Sequence, residues 1–238
     1  MNTDRKTAIV VGILFIFATV ANLLSNVAFL KPILDAPDYL GRIFASENQI
    51  LIGSLIHIIA SFACAGIAIA LYPVLRKYNE GLALGSVGFR IAEGMLYVFG
   101  SIGVLALLPL GQEFIKAGMP DASYFQTLAN SLLSMRDWTG ILAVIAFGPG
   151  ALMYYAIFYK SKLIPRWLSG WGLIAAALCL ISGILVMFNI IEFFTPVQIA
   201  INIPIALQEM VLAVWLIAKG FNPSAIASRA AKQNINQG

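Results

Sequence analysis

Histidine, cysteine and charge are all scarce in this chain. A single histidine, His57, among 238 residues excludes a multi-histidine metal centre. The two cysteines, Cys64 and Cys179, both lie inside apolar runs, so neither a disulfide framework nor a cysteine zinc cluster is available. Charged residues make up only 11% of the chain, where a soluble domain carries about 25%. That is too few to cover a water-facing surface. The sequence has no Gly-x-Ser-x-Gly nucleophile turn, no metal-ligand cluster and no phosphate-binding glycine loop. An enzyme is therefore the weaker expectation, and no cofactor is expected. The net charge of +4 does not point to nucleic acid, because the cations gather at the ends of apolar runs.

Apolar sequence is what the chain has in abundance: 60% of its residues are hydrophobic, and the mean hydropathy is +0.88. A helix needs about 20 mostly apolar residues to cross a bilayer. Six stretches qualify, at about 7–30, 49–75, 82–110, 138–159, 168–190 and 199–219. The first exceeds the 7–15 residues of a signal-peptide core, so it reads as a span and not as a cleaved leader. The fold class is all-α, a polytopic bundle of six transmembrane helices. Residues 1–221 form a single domain and 222–238 a short polar tail.

The basic residues give the orientation. Arg5, Lys6, Arg76, Lys77, Lys160, Lys162, Arg166, Lys219, Arg229 and Lys232 fall on one side of the six spans. Only Lys31, Arg42, Lys116 and Arg136 fall on the other, and Arg90 lies inside a span. Lys and Arg are retained in the cytoplasm, so both termini are expected there. Trp167, Trp171 and Trp215 sit near the inner interface and Trp138 near the outer one. The two longer outer segments, 31–48 and 111–137, are read as loops able to form short interfacial helices. Each holds a Pro-Asp turn followed by Tyr: Pro37-Asp38-Tyr39 and Pro120-Asp121-Ala122-Ser123-Tyr124. Arg136 and Asp137 are placed at the outer start of the fourth span, where a carboxylate suits a helix N-terminus, and are not counted as site residues.

Several motifs resemble a bacterial family. They are Asn79-Glu80-Gly81-Leu82-Ala83-Leu84-Gly85 with Val87-Gly88-Phe89-Arg90, then Pro120-Asp121-Ala122-Ser123-Tyr124-Phe125-Gln126, Arg136-Asp137-Trp138 and Pro165-Arg166-Trp167-Leu168-Ser169. The longest is Pro204-Ile205-Ala206-Leu207-Gln208-Glu209-Met210, running on to Lys219-Gly220-Phe221-Asn222-Pro223. The chain resembles the family catalogued as domain of unknown function 4386 over nearly its whole length. The resemblance implies a multi-pass protein of the bacterial inner membrane. It carries no established activity, so no catalytic or binding roles come with it.

Polar residues inside the spans are the candidate site. A charge at mid-bilayer costs at least about 2.5–3.5 kcal/mol, so such residues turn inward and find partners. Four spans carry them at steps of three, four or seven, which keeps each set on one helix face. They are Thr19, Asn22 and Asn26; Ser54, His57 and Ser61; Ser86, Arg90, Glu93, Tyr97 and Ser101; and Gln198, Asn202 and Glu209, with Gln208 beside it. At a rise of about 1.5 Å per residue, Glu93 and Glu209 both fall near the midplane. Arg90 can then pair with Glu93 or with Glu209, with His57 one layer farther out.

One Arg and two Glu leave an excess negative charge if His57 is neutral, so a carboxylate or His57 must hold a proton. Arg90, Glu93, Glu209, His57, Asn22, Gln208, Tyr97 and Asn202 are the candidates for binding a small-molecule or lipid ligand, or for relaying a proton. Two other readings stand beside this one. The buried charges can serve only to fix helix packing, or Glu93 or Glu209 with His57 can serve an intramembrane enzyme acting on a lipid. Gly148-Pro149-Gly150 and Pro204 mark two spans for a kink or a break.

Overall fold

The computed structural model describes residues 3–117 and 122–228. Within them the regular structure is all helix and no strand: eight α-helices and one π-helical segment, with a short helical stretch after the last of them. Helix α1 (Thr3–Leu23) runs into the π segment Leu24–Leu30 and the short α2 (Lys31–Leu34). Next come α3 (Tyr39–Ala45), α4 (Glu47–Leu75), α5 (Glu80–Ala117), α6 (Ala122–Ser161), α7 (Arg166–Met187) and α8 (Pro196–Ala218). Six of these are long and apolar enough to cross a membrane: α1 with its continuation, α4, α5, α6, α7 and α8.

Each spanning helix packs on the next in sequence, and α8 returns to α1, so the six close into a ring. The short connections at 76–79 and 162–165 make α4–α5 and α6–α7 antiparallel neighbours. Lipid-facing positions follow the helical repeat: Val10, Ile13, Phe17 and Val20 on α1 are all exposed. The face turned inward carries Ala8, Val11, Phe15 and Ala18. In a bilayer the polar face is the one that needs burying, which is why serines at 54, 61, 86, 101, 169 and 182 lie inside.

The ring is closed at its α1–α8 seam by small residues and one guanidinium. A Cβ on Gly12 would stand 2.7 Å from the Ala213 carbonyl oxygen, so only glycine lets the two backbones approach this closely. Arg5 donates to the carbonyls of Leu216, Ile217 and Ala218 at 2.9, 2.6 and 3.3 Å. The Leu216 carbonyl also accepts from the Gly220 amide at 3.1 Å, while those of Ile217 and Ala218 are among the carbonyls that the end of a helix leaves open. The half of the ring on the side of the termini, here the terminal half, is filled by Tyr154, Tyr155, Phe158, Leu71, Leu212 and their neighbours. A second cluster, with Leu30, Tyr39, Ile43, Val104 and Leu107, packs the connecting helices against α5 on the distal side.

The fourth span departs from its expected start at 138. Helix α6 begins at Ala122, and α5 runs on to Ala117. The stretch 123–136 is too polar to register as a span, yet it is helical because it packs. Ala129 is fully buried, and Tyr39 on α3 donates to Asn130 Oδ1 at 2.7 Å. Burial raises the Tyr39 phenol above its ordinary value. The outer segment 111–137 therefore extends two helices, whereas 31–48 does form the short helices α2 and α3. Pro37-Asp38 is a turn ahead of α3, while Pro120-Asp121 lies outside the described residues. Pro149 and Pro204 stand within uninterrupted helices. Past α8, residues 223–228 are helical, and Tyr78 holds them by donating to the Ala225 carbonyl at 3.2 Å.

Candidate functional site

The polar residues of the spans separate into two layers. The deeper layer is centred on Arg90. Arg90 and Glu93 lie three apart on α5, one turn of the same face, and pair at 2.8 Å with side chains only 3% and 5% exposed. Arg90 Nε also donates to the Cys64 carbonyl on α4 at 3.3 Å. Its guanidinium lies 4.9 Å from the ring centre of Phe147 on α6. Gly150 on α6 leaves space for this, since a Cβ there would reach 3.0 Å from Phe89 Cβ and 3.4 Å from Arg90 Cγ. One side chain thus ties α4, α5 and α6 together.

Of the two carboxylates that the sequence offers Arg90, the structure takes Glu93. Glu209 on α8 is only half-buried and meets the Tyr154 hydroxyl, a long contact at 3.5 Å. Gln208 is fully buried, accepts from the Tyr155 hydroxyl and donates to the Leu168 carbonyl at 3.1 Å. It joins α6, α7 and α8 inside the packed terminal half.

The second layer lies in the distal half and surrounds a cavity of about 300 Å³. Asn22 and Asn26 enter it from α1 and the π segment, His57 from α4, Tyr97 from α5, Arg136 and Asp137 from α6, and Asn202 from α8. Phe193 and Phe194, from the α7–α8 connection, line it as well. These contacts are held in place. His57 Nδ1 lies 2.8 Å from Ser101 Oγ, and that hydroxyl donates to the Tyr97 carbonyl at 3.2 Å. Nδ1 is therefore the donor, and Nε2 is left as an acceptor. The Tyr97 ring meets the imidazole edge-on at 5.6 Å. Arg136 donates to Asn26 Oδ1 at 3.0 Å, and Asn26 donates to Asn22 Oδ1 at 3.2 Å. Gln198 fixes the connection by accepting from the Phe194 amide at 2.6 Å. Asn202 donates to Ser182 at 3.4 Å, while its Oδ1 is buried with no hydrogen-bond partner among the described residues.

The π segment helps to shape this wall. Its wider i→i+5 winding is frequent at functional sites, and here it carries Asn26 into the cavity. Ser25 in the same segment is fully buried and donates to the Gly53 carbonyl of α4 at 2.7 Å.

Of the eight candidates from the sequence, Asn22, His57, Tyr97 and Asn202 line the cavity, whereas Arg90, Glu93, Gln208 and Glu209 do not. The two layers are close all the same. Tyr97 is four residues from Glu93 on α5, and Asn202 is seven from Glu209 on α8. His57 meets Ser101 and Tyr97, and no hydrogen bond joins it to either carboxylate among the described residues. Arg136, Asp137 and the Phe193-Phe194 pair escaped sequence reasoning. A start at 138 put Arg136 and Asp137 at a helix mouth, yet they lie well inside α6 and on the cavity wall. The available signal was the helical spacing of small and apolar residues through 123–136. No group of three or more potential metal ligands occurs among the described residues.

A family model described as domain of unknown function (DUF4386) matches residues 10–220. No curated protein matches the chain, and neither does any solved structure.

Proposed function

The chain belongs to the DUF4386 family of unknown function, and from the geometry of its own interior we propose that it binds a small polar molecule in the distal half of the helix ring. The observation that carries this reading is the convergence of hydrogen-bonding side chains from α1, α4, α5, α6 and α8 on one cavity. A volume of about 300 Å³ is at the lower end for ligand pockets, roughly 300–1,000 Å³. It corresponds to roughly ten waters at about 30 Å³ each. Apolar atoms make most of the wall surface, and polar side chains such as Asn22, His57, Tyr97, Arg136 and Asn202 reach through it, as in sites that fix a ligand's orientation. Arg136, Tyr97 and Asn22 supply donors, and His57 Nε2 supplies an acceptor. Movement of the bound molecule or of a proton toward the terminal side would pass the Arg90–Glu93–Glu209 layer beneath. The setting of this reading is a multi-pass protein of the bacterial inner membrane with both termini in the cytoplasm.

A second reading has its own support. Arg90 bonds to α4, pairs on its own helix and lies over Phe147 of α6. That is the pattern of a packing clamp, so the deeper layer can be structural while the cavity is the site.

Ala206 lines the cavity and Leu207 faces lipid, which gives a filled-cavity variant, Ala206→Phe, and a matched control, Leu207→Phe. Small molecules extracted from each purified protein are identified by mass spectrometry. Wild type and Leu207→Phe are expected to retain a species that Ala206→Phe and Asn202→Leu lose. Equal content in all four proteins would overturn the reading. So would a wild type that retains nothing and gains no thermal stability from a panel of metabolites and lipids.

A further inference from the structure

A second pocket lies on the terminal face, away from the distal cavity. Its walls are the α6–α7 connection and the residues that follow α8, and it has a volume of about 590 Å³. Lys162, Arg166 and Lys219 line it, all three exposed, and no carboxylate does so among the described residues. Trp215 forms one wall, and Trp167 packs against it edge-on at 6.5 Å. Tryptophans of this kind mark the headgroup level of a bilayer. Three cations and an indole at that depth make a basic pocket between spanning helices, the arrangement that takes phospholipid headgroups.

The pocket is built and not merely a patch of surface charge. Asn222 ties its two walls together, since its amide donates to the Leu163 carbonyl at 2.8 Å and its side chain to the Lys162 carbonyl at 3.3 Å. Lys162 has a φ of 58°, in the left-handed region that residues other than glycine rarely occupy. It is the residue that follows α6, its amide donating to the Phe158 carbonyl at 3.0 Å, so a left-handed helix cap fixes the backbone that carries this lysine. Gly220 on the opposite wall has a φ of 73°, and a Cβ there would stand 3.0 Å from Arg5 Nη1. Arg166 is steadied by the Tyr159 ring, 5.5 Å from its guanidinium carbon.

We infer that this terminal-face pocket is a binding site for an anionic phospholipid, whose phosphate lies among Lys162, Arg166 and Lys219 while its acyl chains lie along α7 and α8 beside Trp167. The proposal is independent of the distal cavity and of what that cavity holds.

Native mass spectrometry of the full-length protein in detergent tests it, with phosphatidylglycerol and phosphatidylcholine of matched chains added in competition and inorganic phosphate in a separate arm. Wild type is expected to prefer phosphatidylglycerol by about tenfold or more. The Lys162→Asn/Lys219→Gln variant, in which asparagine tolerates the left-handed backbone, should bring that preference close to unity. Lys6→Gln/Arg76→Gln removes the same charge from the same face outside the pocket and should leave the preference within about twofold of wild type. Equal loss in both double variants would show diffuse attraction and overturn the site. No preference in wild type would overturn it too, as would displacement of the lipid by millimolar phosphate. Binding by the distal cavity is read separately, from the Ala206→Phe comparison.

Discussion

Arg90 shows how much one residue can carry in a medium without water. Its charge is expensive at mid-bilayer, and every contact it makes offsets part of that cost: the Glu93 carboxylate, the Cys64 carbonyl and the face of Phe147. Removing the guanidinium leaves Glu93 buried without its counter-ion, and breaking a buried pair this way costs about 3–5 kcal/mol. Arg90→Met alone should therefore lower the thermal midpoint in detergent sharply. Arg90→Met/Glu93→Leu removes both charges, and replacing a buried pair by apolar groups is often neutral or better. The double variant should recover most of the lost stability. If it is as unstable as the single variant, Arg90 acts through something other than its pair with Glu93. If the double variant is stable and also keeps the molecule bound in the distal cavity, the deeper layer is a clamp and not a passage.

At the scale of elements, the tightest constraint is the seam between α1 and α8. Gly12 allows the Ala213 backbone to approach, and Arg5 covers the end of α8. Gly12→Leu should force the seam apart and destabilise the protein by about 2 kcal/mol or more, an overpacking penalty. Arg5→Ala should cost about 1–2 kcal/mol through the orphaned carbonyls. Both are read from thermal unfolding in one detergent, and an unchanged midpoint for Gly12→Leu would mean that the seam is loose. Hydropathy alone located the spans that became α1, α4, α7 and α8 to within a few residues, because uninterrupted apolar length is what a bilayer demands. For α5 and α6 it found the spans but stopped short of their outer ends. There Gln112, Glu113 and Lys116 in α5, and Ser123, Gln126, Asn130 and Arg136 in α6, lower the hydropathy, and helix is kept by contacts of the two with each other and with α3 that no local window can see. The π segment was equally hidden, since nothing in Leu24–Leu30 announces a change of winding. The inward stripes were legible from spacing, but their division into a buried ion pair and an open cavity depends on how far each helix is shifted along its axis.

On the scale of the whole molecule, a closed ring of six antiparallel helices has two unlike ends. The terminal half is filled with aromatic and aliphatic side chains, while the distal half keeps a polar cavity under Phe193 and Phe194. The same polarity runs through the basic residues, eight at the terminal end against four at the distal end among the described residues. Lys and Arg close to short loops determine which end stays in the cytoplasm, so the filled end should face inward and the cavity outward. A reporter fused after Gly238 checks this: green fluorescent protein should fluoresce there, and alkaline phosphatase should be inactive. Exchanging Arg5 and Lys6 for glutamine while adding four lysines to the 188–195 connection should weaken or invert that result, because the added charge would resist crossing. An active phosphatase on the unaltered chain would turn the molecule over. The phospholipid pocket would then face the outer side of the membrane, and the cavity would collect its ligand from the cytoplasm.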